Sequence, residues 1–315
     1  MAKHPRIVSL LPSATEILFA LGLDEQIAGV THECDFPAGA LRKPKITRSK
    51  ANESLSSREI DELVRLQLDT TGSIYELDLK KLEELAPDLI LTQQLCTVCA
   101  VSYDYVREEA AKLTRHAEVI NLEPKTLWEV LESIRTVGSL SGANEIAARV
   151  VGELEARIRS IEQSVKGLKQ RRVVVLEWVD PLFASGHWIP ELVERAGGIN
   201  ALAFKHAPSR EVSWEKVLAS QPEVVIVAEC GFSVERQQQD ADFLLSRMDQ
   251  EWSTDPRGSA GSVAPEVWVC DGSQYFSRPG PRLVETLELI AGILHPELRK
   301  QWHAKFSNKD IVQLR

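Results

Sequence analysis

Residues 143–168 read Ala143-Asn-Glu-Ile-Ala-Ala-Arg-Val-Val-Gly-Glu-Leu-Glu-Ala-Arg-Ile-Arg-Ser-Ile-Glu-Gln-Ser-Val-Lys-Gly-Leu168. Apolar side chains recur in this stretch every three or four residues, which is the pattern of one apolar stripe along an α-helix. The stripe consists of Ile146, Val150, Leu154, Ile158, Ile161, Val165 and Leu168. Most other positions are charged or polar, so the pattern predicts one amphipathic helix, about 39 Å long at roughly 1.5 Å per residue.

This helix lies near the middle of the chain, with alternating strand and helix patterns on both sides. We therefore predict an N-terminal α/β lobe over residues 1–141, a connecting helix over 142–169 and a C-terminal α/β lobe over 170–315. Gly152 and Gly167 are the only residues of this stretch that weaken a helix. The pattern therefore favours a rigid helix between the lobes over a hinge. Function is expected in a cleft between the two lobes.

The alternation on both sides of this helix predicts two open, largely parallel sheets in Rossmann-like lobes. The predicted strands are 6–11, 26–31, 89–92, 118–122, 172–178, 224–228 and 267–270. The predicted helices are 16–21, 57–68, 79–85, 127–140, 190–196, 214–220, 234–248 and 283–294. Ser13 or Thr15 is expected to cap the first helix, and residues 32–55 to form a loop.

Composition and charge exclude several classes of protein. The hydrophobic fraction is 43% and the charged fraction 26%, which is ordinary for a globular protein. A net charge of −9 argues against nucleic-acid binding, which normally requires a basic surface. The sequence contains no uninterrupted apolar run of about 18 residues, so no membrane-spanning segment is predicted.

The expected location is the cytoplasm. Polar residues and Pro12 interrupt the apolar residues between Ile7 and Leu23, unlike the hydrophobic region of a signal peptide. The five cysteines, an odd number, show no spacing typical of secreted disulfide-bonded proteins. A periplasmic or surface-anchored protein whose leader has been removed is the alternative.

Open α/β sheets bind ligands beyond the carboxyl ends of their strands, and residues suited to binding follow the predicted strands here. The candidate ligand-binding residues are Ser13, Asp35, Phe36, Trp178, His187, Trp188, Phe232, Tyr275, Phe276 and Arg278. The candidate metal ligands are His32, Cys34, Cys96, Cys99 and Cys230. These residues are expected to come together around the cleft.

Two kinds of interpretation remain open for most of these residues. Cys96 and Cys99 have the spacing of half a zinc or iron–sulfur site or of a redox pair, but cysteines also pack as small apolar side chains. Large aromatic side chains suit a planar ligand, although we expect Trp128, Trp214 and Trp268 to fill the core. Cys270 is expected to lie in the core as well. Arg278 either binds a ligand carboxylate or phosphate or caps its Pro-Gly-Pro turn.

Known catalytic signatures are absent from the sequence. There is no Gly-rich phosphate loop and no nucleophile elbow. Ser185-Gly186-His187 places a serine near a histidine, but we discount this stretch as a nucleophile and its base. The sequence therefore favours a protein that is not an enzyme.

Six segments of the chain have a distinctive order and spacing. The segments are Ile7-Val-Ser-Leu-Leu-Pro-Ser-Ala-Thr-Glu-Ile-Leu-Phe-Ala-Leu-Gly, Pro87-Asp-Leu-Ile-Leu, Phe183-Ala-Ser-Gly, Ala196-Gly-Gly-Ile-Asn, Val212-Ser-Trp-Glu-Lys-Val-Leu-Ala-Ser-Gln-Pro-Glu-Val-Val-Ile-Val and Arg278-Pro-Gly-Pro-Arg. Together they resemble the family of periplasmic substrate-binding proteins for cobalamin, haem and iron–siderophores, and most of all its cobalamin-binding members. The resemblance extends from about Arg6 to Leu294. The sequence departs from the ordinary exported members in two ways: no export signal is recognised in it, and it has the Cys96-x-x-Cys99 pair.

The resemblance implies two α/β lobes joined by one long helix, with the ligand held between them. It also implies an ABC permease as partner, and Glu215 is the candidate for one docking carboxylate. By position, the walls of the ligand site would be formed by Phe36, Trp188, Tyr275 and Phe276.

Two functions follow from these observations. The first is a binding protein for a cobalamin-like corrinoid or another metal chelate, whose metal a cleft cysteine or histidine contacts. The alternative is a cytosolic metalloprotein or redox enzyme in which Cys34, Cys96, Cys99 and Cys230 hold zinc or an iron–sulfur cluster.

Overall fold

The computed structural model describes residues 4–49, 55–71, 75–94, 103–254 and 264–315. The chain divides into two compact units, one of residues 1–124 and 128–153 and the other of residues 125–127 and 154–315. Both are α/β units, which confirms the predicted fold class. The predicted domain limits at 141/142 and 169/170 stay a prediction.

The first unit is built on a four-stranded parallel sheet. Its strands are β1 (Ile7–Ser9), β2 (Ile27–Val30), β3 (Thr47–Ser49), β4 (Tyr75–Leu77), β5 (Leu89–Thr92) and β6 (Glu118–Asn121). The main sheet has the order β2-β1-β5-β6, and β3 and β4 form a separate antiparallel pair. The helices starting in this half are α1 (Pro12–Ala20), α2 (Ser57–Thr71), α3 (Leu79–Leu85), α4 (Tyr103–Ala110) and α5 (Leu127–Ser141).

The long helix predicted from the sequence is α6 (Asn144–Val165). It ends before Gly167, whose backbone is left-handed (φ +81°), so the predicted end at Leu168 is too late. In its first half Ala147 and Val151 are buried, while Ile146 and Val150 are only half-buried. A Cβ on Gly138 of α5 would lie 2.5 Å from Ala147 Cβ, so α5 and α6 pack closely at this point. This packing buries the face of α6 that carries Ala147.

The second unit is built on a seven-stranded mixed sheet. Its strands are β7 (Arg172–Val179), β8 (Leu182–Ala184), β9 (Ile199–Asn200), β10 (Arg210–Glu211), β11 (Val224–Val227), β12 (Glu266–Cys270) and β13 (Ile311–Gln313). The order is β10-β8-β7-β11-β12-β13, with β9 beside β7. Its helices are α7 (Ile189–Arg195), α8 (Trp214–Ala219), α9 (Val234–Thr254), α10 (Leu283–Leu294) and α11 (Arg299–Trp302).

Apolar runs in the central strands explain the core of this sheet. Strands β7, β11 and β12 are parallel and contribute buried valines such as Val174, Val225 and Val267. Leu244 and Met248 of α9 pack in the same core. The outer strands β8, β10 and β13 are antiparallel, so the prediction of a largely parallel sheet holds only for the centre of this unit.

Three local predictions are wrong. Helix α1 begins at Pro12 after Leu11 without a side-chain cap, and the Thr15 hydroxyl instead donates to Ser9 Oγ over 2.8 Å. Trp128 is 56% exposed rather than buried. Residues 47–49 form β3 within the segment expected to be a loop. Within the described residues, no helix is both long and apolar enough to cross a membrane.

Candidate functional site

At the carboxyl end of β2, His32 belongs to a small polar network. Its Nδ1 lies 2.7 Å from Thr47 Oγ1 of β3, and its Nε2 lies 2.9 Å from Glu33 Oε1. Thr47 Oγ1 in turn donates to Thr31 Oγ1 over 2.8 Å. Both ring nitrogens of His32 thus have polar neighbours, and its predicted role as a metal ligand stays a prediction.

Cys34 follows closely and is buried with 1% exposure. Its side chain joins a chain of buried polar contacts. Ser9 Oγ donates to the Leu11 carbonyl, Thr15 Oγ1 donates to Ser9 Oγ, and Cys34 Sγ lies 3.0 Å from Thr15 Oγ1, where either atom can be the donor. Cys34 is therefore packed against the start of α1, and its predicted role as a metal ligand stays a prediction.

The other candidates of the first unit differ in exposure. Ser13 is buried within α1, whereas Asp35 and Phe36 are exposed, Phe36 by 42%. Cys96 and Cys99 lie outside the described residues. Elsewhere in the described chain, no three or more His, Cys, Asp or Glu side chains are grouped so that they could hold a metal ion. The zinc or iron–sulfur site stays a prediction.

An aromatic pair lies at the carboxyl edge of the second sheet. The ring of Trp178, near the end of β7, is 5.1 Å from that of Phe232, which follows β11. The guanidinium of Arg236 lies over the Phe232 ring at 4.3 Å from its centroid and forms a 2.9 Å ion pair with Asp240. Phe232 is buried between these groups, whereas Trp178 is half-buried. Phe232 therefore supports Trp178, whose ring is the more accessible.

Cys230 lies in the same turn as Phe232, next to Gly231, whose backbone is left-handed (φ +81°). The Cys230 N–H donates to the Glu177 carbonyl of β7 over 3.0 Å. Its side chain is half-buried and is not part of a disulfide. The structure thus brings Cys230, Phe232 and Trp178 to one edge of the second sheet, as the sequence predicts for each of them.

His187 and Trp188 lie between β8 and α7. His187 has a left-handed backbone (φ 53°), and its N–H donates to the Ala207 carbonyl over 2.7 Å. A Cβ on Gly186 would lie 2.4 Å from that same carbonyl, so only glycine permits this close approach. His187 Nε2 is buried and, within the described part of the chain, has no hydrogen-bond partner. Burial, and secondarily the charge of Lys125, lowers the pKa of His187, which keeps the imidazole neutral at pH 7.

Trp188, Tyr275 and Phe276 are buried, with exposures of 4–7%. The Trp188 indole N–H donates to the Phe276 carbonyl over 3.0 Å. The Tyr275 hydroxyl donates to Asp310 Oδ1 over 2.8 Å, and burial together with Asp310 raises the pKa of Tyr275. Their predicted role as ligand-site walls stays a prediction.

Arg278 is 6% exposed and donates to Ser273 Oγ over 3.1 Å. The same turn begins with Asp271, whose carboxylate accepts the Gln274 N–H over 2.7 Å. Burial raises the pKa of Asp271, and Arg278 opposes that rise. Within this turn Arg278 contacts its own segment, as a turn-stabilising arginine does, and its role toward a ligand stays a prediction.

Sequence reasoning missed Arg236 and Gln237 in the first turn of α9. Arg236 follows Phe232 by four residues, a spacing that suggests contact along a helix. Phe232, however, lies before the start of α9, so this signal could be recognised only once the turn was known. Glu215, the candidate docking residue, is exposed at the start of α8, and a hydrogen bond with the Ser213 side chain lowers its pKa.

The thiols should differ in reactivity. We expect iodoacetamide to alkylate Cys230 about tenfold or more faster than Cys34 or Cys270, because reaction requires an accessible thiolate. Cys34 and Cys270 are buried, and burial raises the pKa of Cys270. Peptide mapping by mass spectrometry at several reaction times measures each rate. Equal labelling of Cys270 and Cys230 in the folded protein would contradict this assignment.

Stability should depend on the protonation of His187. Since its pKa is lowered in the folded protein, the unfolded chain binds a proton near pH 6.5 more readily than the folded state does. The contribution to stability is full above about pH 6.5 and is lost as the pH falls toward the lowered value. His187→Asn, which tolerates the left-handed backbone, should flatten the fall in unfolding free energy between about pH 7 and 5. Exposed His116→Asn is the control, and urea denaturation is the measurement; an unchanged slope in His187→Asn would refute the idea.

Comparison with known proteins identifies the family to which this α/β chain belongs. Residues 7–254 match the family model for periplasmic binding proteins, and the chain belongs to this family. The vitamin B12-binding protein of Vibrio cholerae is 24% identical over 292 residues, covering 92% of this chain and 88% of that protein. An uncharacterised ABC transporter substrate-binding lipoprotein of Bacillus subtilis is 22% identical over 314 residues, covering 95% and 83%.

Solved structures agree on the fold. The periplasmic vitamin B12-binding protein of Vibrio cholerae has a TM-score of 0.65 at 22% identity, covering 92% of this chain and 96% of that chain. The periplasmic haem-binding protein of the same organism has a TM-score of 0.67 at 17% identity, covering 93% and 100%. The predicted family and two-lobe α/β fold are therefore confirmed.

Proposed function

We propose that this protein binds a cobalamin-like corrinoid, without catalysing a reaction on it. Proteins named for binding vitamin B12 match more than nine-tenths of the chain, and others of the same fold are named for binding haem. Both ligands are large planar metal chelates. The cytoplasm is the proposed location, and a periplasmic or surface-anchored protein is the alternative. In that alternative an ABC permease is the proposed partner, with exposed Glu215 as a docking carboxylate.

One observation carries the proposal at the level of the site. Trp178 is held at the carboxyl edge of the second sheet on the ring of Phe232, which Arg236 covers. A half-buried indole fixed in this way offers a rigid apolar surface to a macrocycle at little cost in side-chain entropy. His187, kept neutral by burial, is the proposed nitrogen donor toward the metal of the bound chelate.

Titration of the purified protein with cyanocobalamin and, separately, with haemin tests the proposal. Calorimetry and the visible absorption spectrum should show saturable binding of cyanocobalamin with a Kd of about 1 μM or below, roughly −8 kcal/mol. Tighter binding of haemin than of cyanocobalamin would show that the ligand is an iron porphyrin and not a corrinoid. Failure of both ligands to bind at about 1 mM would refute the proposal.

Trp178→Ala links the binding to the site. We expect it to raise the Kd about tenfold, because a stacked aromatic ring contributes roughly 1–2 kcal/mol. Phe243→Ala is the matched control, since Phe243 is a 50% exposed aromatic residue farther along α9. Equal affinities for Trp178→Ala and Phe243→Ala would show that the ligand binds elsewhere.

A further inference from the structure

Gln237 is a buried amide next to the aromatic pair. It lies in the first turn of α9 and is 1% exposed. Its Nε2 donates to the Cys270 carbonyl over 2.7 Å and to the Phe232 carbonyl over 3.2 Å, while its Oε1 accepts the Glu229 N–H over 3.0 Å. Donor and acceptor capacity of the carboxamide are thus both engaged with backbone groups.

These backbone groups belong to three separate places in the chain. Glu229 follows β11, Phe232 closes the turn 229–232, and Cys270 ends β12. The turn itself is closed by a 3.0 Å hydrogen bond from the Phe232 N–H to the Glu229 carbonyl. Gln237 therefore ties both ends of the turn to the neighbouring strand.

The Phe232 carbonyl is the centre of this arrangement. Besides Gln237, the N–H groups of Gly272 and Ser273 donate to it over 3.0 and 3.1 Å. Loss of the Gln237 amide would leave the buried Glu229 N–H without its acceptor and weaken the link to β12. The turn would then be free to shift, and the ring of Phe232 would shift with it.

We propose that Gln237 is a positioning residue of the ligand site. It sets the backbone of the turn 229–232, hence the ring of Phe232, and through that ring the orientation of Trp178. It touches the ligand at no point. This inference rests on the proposed function for its effect on binding, but its effect on Trp178 can be measured without any ligand.

The first test uses the ligand-free protein labelled with 5-fluorotryptophan. In Gln237→Met, the ¹⁹F NMR signal of Trp178, assigned with Trp178→Phe, should shift or broaden, while the signal of Trp128 stays unchanged. Gln238→Met is the matched control, because Gln238 is exposed on the same helix turn. An unchanged Trp178 signal in folded Gln237→Met would overturn the inference. If Gln237→Met does not fold, Gln237→Asn, whose amide is one methylene shorter, gives the same reading.

The second test is a double-mutant cycle with cyanocobalamin. Gln237→Met should raise the Kd about tenfold, as expected for disrupted buried hydrogen bonds, but by less than about twofold in a Phe232→Ala background. The same factor in both backgrounds would show that Gln237 does not act through Phe232. If the wild-type protein binds neither cyanocobalamin nor haemin, the proposed function fails, and the ¹⁹F measurement still decides the role of Gln237.

Discussion

Gly272→Ala is expected to destabilise the second unit by about 3 kcal/mol or more. A Cβ at this position would lie 2.0 Å from the Glu229 carbonyl oxygen and 2.7 Å from the carbonyl carbon of Ala228. These are backbone atoms, so no flexible side chain can move out of the way. The Gly272 N–H is also bonded to the Phe232 carbonyl, which keeps the two segments together.

Urea denaturation followed by circular dichroism measures this effect, and Gly152→Ala is the matched control. Gly152 is exposed on α6, and a Cβ there would meet no atom within 4 Å. Its replacement should raise the unfolding free energy by about 0.5–1 kcal/mol, since alanine favours a helix over glycine. A denaturation midpoint of Gly272→Ala equal to that of the wild type would disprove the close approach of these backbones.

Arg157→Met is expected to destabilise the protein by about 2–3 kcal/mol. Arg157 of α6 binds Glu288 of α10 through three contacts of 2.9–3.1 Å between the guanidinium and the carboxylate. The Glu288 side chain is only 7% exposed, whereas that of Arg157 is 38% exposed. Removing the arginine leaves a buried carboxylate with Lys305, 2.5 Å away, as its remaining cation in this cluster.

The difference in burial makes the effect asymmetric. Glu288→Gln should cost less than Arg157→Met, because the freed arginine can be hydrated. Arg159→Met is the matched control on the same helix, since Arg159 is 60% exposed and lies 3.7 Å from Glu155; about 0.5 kcal/mol or less is expected. A loss in Arg157→Met no larger than that in Arg159→Met would show that the α6–α10 ion pair contributes nothing to stability.

Periodicity in the sequence was sufficient to predict the central elements. Strand β5 and helix α10 have the predicted ends, because apolar runs and flanking prolines mark them. The short outer strands were missed, since β9 and β10 have two residues each and no alternation can show in them. They exist because β7 and β8 offer unpaired edges, which is a property of the assembled sheet.

The candidate site, too, could be predicted from the sequence only in part. Phe232 and Trp178 could be placed at one sheet edge, since each directly follows or ends a predicted strand. Their contact, and the supporting roles of Arg236 and Gln237, depend on the path of the turn 229–232. The burial of Trp188 and the exposure of Trp128 likewise depend on packing, which residue type alone does not determine.

Strand β13 has a consequence for aggregation. Residues 311–313 pair with β12, whose Val267 and Val269 are buried. Without β13, the backbone N–H and C=O groups of this apolar strand would be open to pairing with another chain. Removal of residues 311–313 would thus expose a sheet edge that can pair with another molecule, so β13 protects this sheet against self-association.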